Sequence, residues 1–177
     1  MRELCEEAVA AALAAGASYA DARVVVRRSQ TVATRNRRVD RLDDVETQGL
    51  GVRVLVGGAW GFACDNELSV ETARATAARA CAFAKAAPGS HGRELAPLEP
   101  ASGEYRTAYE KHPLEISLAD KVEHCLRAEA ALRHEDVKVT AASVRAQQEQ
   151  KLFVSSDGAS IEQEARYLDL SLRGGFR

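Results

Sequence analysis

The sequence predicts an α+β fold: two helix-plus-antiparallel-meander units, with helices packed on one face of a mostly antiparallel sheet. Three observations carry this expectation. Alanine-rich stretches with amphipathic spacing alternate with β-branched runs of period two. Gly57-Gly58 and Asp157-Gly158 each stand between two such runs, as tight hairpins require. The order of a helix followed by several strands occurs twice, on either side of a proline-containing segment.

Taken in order, 3–15 sets Leu4, Val9 and Leu13 among alanines, and Gly16 is placed to end that helix with a left-handed residue. Strands follow over 22–28, with the run Val24, Val25 and Val26, and over 31–35; the polar break between them predicts a hairpin. Over 45–56, Leu50, Val52, Val54 and Val56 share one face, and 59–63 returns after Gly57-Gly58. Ser69 caps a second helix that runs to Pro88-Gly89. All four prolines lie between 88 and 113, a stretch with little periodicity that predicts an extended surface connector. Ser117 caps a third helix in which Leu118, Val122, Cys125, Leu126, Ala130 and Leu132 are spaced for one buried face. Strands are then expected over 137–145, 150–155 and 161–172. The predicted organisation is therefore an N-terminal unit, 1–87, a connector, 88–113, and a second unit, 114–177. Tyr167, Leu168, Leu170 and Leu172 give the last strand an apolar face without evident cover, so the second unit is expected to need further chain or a partner.

Composition narrows the function. With 24 basic and 26 acidic residues in 177, the formal charge of −2 supplies no positive field for phosphate backbones, so no nucleic-acid partner is expected. Cys5, Cys64, Cys81 and Cys125 form no Cys-x-x-Cys pair and read as free thiols of a reducing compartment. Glu3, Glu6 and Glu7 interrupt the first helix, unlike a secretory signal, and no apolar run approaches about 20 residues. No membrane partner is expected, and the predicted location is cytoplasmic.

No catalytic or metal-binding residue emerges from the motifs. His91, His112, His124 and His134 share no His-x-x-x-His spacing, and zinc needs three or four donors converging at about 2.0–2.3 Å. His124 and Cys125 are neighbours, about 100° apart around a helix, and so do not form a thiolate–imidazole pair. Ser155-Ser156-Asp157-Gly158 is explained by a turn. Neither Gly49-Leu50-Gly51 nor Gly57-Gly58 opens a helix or precedes a lysine, as a phosphate loop requires. Arg35, Arg37, Arg38 and Arg41, mixed with Asp40, Asp43 and Asp44, read as a solvated strand end, or less simply as a docking surface.

The segment Gln48-Gly49-Leu50-Gly51-Val52-Arg53-Val54, then Gly58-Ala59-Trp60-Gly61-Phe62-Ala63, then Asn66-Glu67-Leu68-Ser69 resembles the N-terminal region of the TldD/PmbA family, known as modulators of DNA gyrase and as metallopeptidases. Ser117-Leu118-Ala119-Asp120-Lys121 and Phe153-Val154-Ser155-Ser156-Asp157-Gly158 are similar to the region that follows. The resemblance implies zinc-dependent hydrolysis of peptides by a homo- or hetero-dimer of family members. Its metal is held by a His-Glu-x-x-x-His helix that this chain lacks. The implied role here is a non-catalytic region contributing to subunit assembly and the path to the active site. No cofactor is expected in this chain, zinc being implied for a full-length member, and peptide substrate only in the full assembly. By that resemblance Gly49, Gly51, Trp60, Gly61 and Phe62 are candidate interface or peptide contacts, because glycines beside aromatics offer flat, closely approached backbone. The simpler reading of Trp60 is a core aromatic. The alternatives are a stand-alone binding or regulatory protein reusing the fold, and an enzyme with a dispersed site.

Overall fold

The computed structural model describes residues 1–87, 95–96 and 99–176. The predicted helix stop at Pro88-Gly89, His91 and, with them, residues 88–94 and 97–98 of the connector lie outside the described residues. Helix α1 (Arg2–Ala14) leads into strands β1 (Tyr19–Arg35), β2 (Arg38–Val56) and β3 (Ala59–Asp65). Helix α2 (Val70–Ala86), strand β4 (Ser102–Arg106), helix α3 (Leu118–Ala131), and strands β5 (Val137–Ser155) and β6 (Ser160–Phe176) follow. The strands form one mixed, mostly antiparallel sheet in the order β3-β2-β1-β5-β6-β4. Strand β2 runs antiparallel to β3, and β4 parallel to β6. The expected α+β class stands. No described helix is long and apolar enough to cross a membrane.

Several local expectations hold for the physical reasons given. Gly16 has φ +94°, and the N–H groups of Gly16 and Ala17 donate to the Leu13 and Ala12 carbonyls, closing α1. Gly57 and Gly58 both take positive φ in the β2–β3 turn. The Ser69 and Ser117 hydroxyls accept from the N–H groups of Thr72 and Asp120.

Others need correction. The polar residues Ser29-Gln30 do not break β1, which continues through them; the hairpin lies at Asn36-Arg37, with φ +50° and +64°. Strand β5 likewise continues through 146–149, and the connector contributes β4. In each case apparently loop-like polar residues have partners within the sheet or along it. Arg27 bonds Glu149, and Arg28 bonds Asp44 through two nitrogens.

The chain divides into two compact units. Unit 1 comprises Met1–Val26, Thr47–Arg106 and Gln150–Glu164; unit 2 comprises Arg27–Glu46, Thr107–Glu149 and Ala165–Arg177. Strands β1, β2, β5 and β6 each pass from one unit into the other.

The core of unit 1 gathers alternate strand residues, Ala20, Ala22, Val24, Val52, Val54 and Ala63, with small residues of α1 and α2 such as Ala8, Ala12, Ala77 and Ala80. Alanine at these positions lets helix backbone approach strand backbone closely. At β3 it leaves no room for a side chain: a Cβ on Gly61 would lie 2.1 Å from the Ala80 carbonyl oxygen.

In unit 2, α3 buries Lys121, Cys125 and Glu129, four residues apart, rather than the whole expected apolar face; Leu118 and Ala130 are exposed. Val122, Cys125 and Ala128 meet Val32, Ala142 and Val144. Lys121 Nζ donates to Gln30 Oε1 at 2.5 Å, and Gln30 Nε2 donates to Asp44. Burial lowers the Lys121 pKa, against the pull of Asp44. Arg28 and then Gln30 hold the Asp44 carboxyl down at about 2. One Glu129 oxygen accepts from the Arg37 N–H and the Thr140 hydroxyl. Burial raises the Glu129 pKa, but the Thr140 hydroxyl and its other neighbours outweigh it and leave the carboxyl below its ordinary range. Thr34 Oγ1 is close enough to contribute, although neither it nor Glu129 Oε1 makes a hydrogen bond of regular geometry.

Candidate functional site

Strand alternation sends one set of unit 1 residues to the core and the other to the opposite face. On that opposite face the sequence places Tyr19, Asp21 and Arg23 on β1, Gly49, Gly51 and Arg53 on β2, and Trp60, Phe62 and Cys64 on β3. The antiparallel register sets Gly51 opposite Cys64, Arg53 opposite Phe62 and Leu55 opposite Trp60. Asp21, Arg23, Gly49, Gly51, Arg53, Phe62 and Cys64 border an open concavity of about 750 Å³, with Tyr19 and Trp60 beside it.

Its floor is set by the two glycines. A Cβ on Gly51 would stand 3.1 Å from the Phe62 ring, and one on Gly49 would stand 3.3 Å from the Asp65 carbonyl oxygen. The ring thus lies across bare backbone while remaining 58% exposed.

A charged and aromatic group stands along one side. Arg53 donates to the buried Asp21 carboxylate at 2.8 Å and lies 4.9 Å over the Trp60 ring, against whose edge Tyr19 packs. Burial works against the Arg53 charge, but Asp21 outweighs it and raises the pKa. Burial, and then Asp21, also push the Tyr19 hydroxyl up. Arg53 is half-exposed, so the pair fixes its direction while part of the guanidinium stays accessible. Arg23 stacks 5.1 Å over Phe153, and no ion-pair partner for it is found among the described residues. The far rim is tied down by Arg79, which bonds the Cys64 carbonyl and the Asp65 carboxylate. Such a surface has fixed positive groups, exposed aromatic area and amides from Gln48 and Asn66. Such groups can hold carboxylates and apolar surface.

The structure brings Gly49, Gly51 and Phe62 to the concavity and sets Trp60 beside it. Gly61 faces the other way, against α2, where its role is packing. Asp21, Arg23 and Arg53 were not singled out from sequence. The period-two alternation of 19–25 carried a second face, but nothing local said that Asp21 would meet Arg53.

Among the described residues no group of three or more His, Cys, Asp or Glu side chains converges, so this donor set does not fit a metal ion. His112 and His134 accept through Nδ1 from nearby backbone N–H groups, and His124 is exposed. Cys125 is buried, which raises its thiol pKa. Ser156 accepts from the Ala20 N–H, tying the β5 end of the Asp157-Gly158 turn to β1.

A family model described as PmbA/TldA metallopeptidase domain 1 matches residues 20–84, and one described as the PmbA/TldA metallopeptidase central domain matches residues 111–175. A curated metalloprotease of Synechocystis is 32% identical over 145 residues, covering 80% of this chain and 30% of that protein. A protein from Bacteroides thetaiotaomicron, crystallised under the name of a DNA gyrase modulator, superposes with a TM-score of 0.85 at 18% identity, covering 99% of this chain and 41% of its own. TldE of Thermococcus kodakarensis gives a TM-score of 0.69 at 17% identity, covering 97% and 39%. These superpositions concern the fold. The chain spans about a third of the length of the curated relative it matches.

Proposed function

Because this chain belongs to the PmbA/TldD metallopeptidase family, we propose that it is a non-catalytic region of a zinc-dependent peptidase, holding extended peptide on the open sheet face of unit 1. The supporting observation is the exposed Phe62 ring lying over Gly51, with the Asp21-oriented Arg53 alongside. A bare glycine floor admits a second backbone at close range, and an exposed aromatic supplies apolar contact area. Arg23 and the accessible part of Arg53 favour peptides carrying carboxylates.

In this reading the described residues bind and orient the peptide, and hydrolysis belongs to other parts of the family's enzymes. Pairing with a second family subunit, which would carry peptide to a catalytic centre, belongs to the same proposal. A cytoplasmic setting accords with the free cysteines.

The single tryptophan, Trp60, makes the binding measurable. Titrating the chain with an unfolded acidic peptide should change Trp60 fluorescence saturably. Phe62→Ala should weaken binding about tenfold, the effect typical of losing an aromatic anchor. An unchanged signal, or equal affinity in the variant, would remove the groove from the account.

A further inference from the structure

We propose that Arg23 is the specificity-determining residue of the unit 1 groove, selecting peptides by a carboxylate, and that Asp21 withholds Arg53 from the same task. This rests on the peptide-holding reading above and narrows its charge preference to one residue.

Four charged side chains line the concavity: Asp21, Arg23, Arg53 and Asp65. Three of them are already matched. Asp21, only 4% exposed, takes Arg53 Nε at 2.8 Å and a terminal nitrogen at 2.6 Å on a single carboxylate oxygen, and Arg79 meets Asp65 at 2.9 Å. Opposite charges that close largely cancel when seen from a ligand several ångströms away. Burial opposes the Arg53 charge and Asp21 outweighs it, so that guanidinium is committed to its partner.

Arg23 is the charge that remains. It is exposed, its guanidinium carbon lies 5.1 Å from the centre of the Phe153 ring, and it has no ion-pair partner among the described residues. Stacking holds the head in place through its flat face and leaves the planar fork of N–H donors for a ligand. A carboxylate is the complement of such a fork, because it accepts two parallel hydrogen bonds from it. The Phe62 ring over Gly51 gives the rest of the peptide its contact area. A peptide rich in lysine or arginine would instead meet an uncompensated positive charge.

The test is fluorescence anisotropy with three labelled, unfolded peptides. One carries Glu and an amidated C-terminus; the second has Gln in place of that Glu; the third is the Gln peptide with a free C-terminal carboxylate. At least one carboxylate-bearing peptide should bind about tenfold more tightly than the neutral one, the scale of a charge-assisted hydrogen bond, and comparing the two tells side chain from terminus. Arg23→Gln should abolish that difference and leave the neutral peptide's affinity unchanged, which also shows that the variant folds. Asp21→Asn should widen the difference, because Arg53 is released. A merely structural role for either residue would move all three peptides together. Equal affinities in the wild type, a difference that survives Arg23→Gln, or one that narrows in Asp21→Asn overturns the proposal. The groove itself stands through any of these results so long as the neutral peptide binds and Phe62→Ala weakens it; binding of no peptide at all removes both.

Discussion

A Cβ at position 61 would enter the Ala80 carbonyl oxygen at 2.1 Å, and it would also stand 2.8 Å from the Ala84 nitrogen. Both obstacles are helix backbone, which does not rotate aside. Gly61→Ala should therefore destabilise the chain by about 2 kcal/mol or more, the usual scale of forced overpacking, read as a lowered midpoint in urea. Gly51→Ala meets only the end of the Phe62 ring, 58% exposed and able to swing outward, so it should cost far less. Two glycines of one sequence motif thus do different work. Residue type and spacing marked both as special, but only the register of β3 on α2 separates the packing glycine from the floor of the groove.

Helix α3 docks through charged groups as well as through Cys125. The Glu129 carboxyl has a folded-state pKa below its ordinary value, so it favours the folded state at pH above that ordinary value. Its contribution is lost as pH falls through the depressed one. Asp44, held at about 2 by Arg28 and Gln30, acts in the same direction, reduced by its exposure to solvent. Stability should accordingly decline from about pH 4 towards pH 2, and Glu129→Gln should flatten that decline, measured by urea unfolding across the pH range.

The same charges explain where the sequence misled. Ser29-Gln30 looks like a loop because polar residues seldom sit inside strands, yet Gln30 is buried and bonded to both Lys121 and Asp44. The true turn, Asn36-Arg37, lacks the glycine that marks most tight hairpins, and Arg37 takes a positive φ beside the carboxylate of Glu129. Long-range polar pairing has no local signature. Capping serines and Gly-Gly turns do have one, which is why α2, α3 and the β2–β3 hairpin were legible.

For the molecule as a whole, class was readable because the alternation of small helix residues and β-branched strands persists through the chain, and family because the segments 48–54, 58–63 and 66–69 resemble its N-terminal region. The groove was half-readable: Gly49, Gly51, Trp60 and Phe62 stood in one motif, whereas Asp21 and Arg23 joined them only through sheet pairing. The matched domain models cover residues 20–84 and 111–175, and neither match brings with it a convergent donor set among the described residues. In the proposed function, holding a peptide and cutting it are separate tasks. Mass spectrometry of an unfolded acidic peptide incubated with this chain and added zinc tests that separation most directly. The peptide should bind and stay intact; cleavage that a chelator abolishes would contradict it.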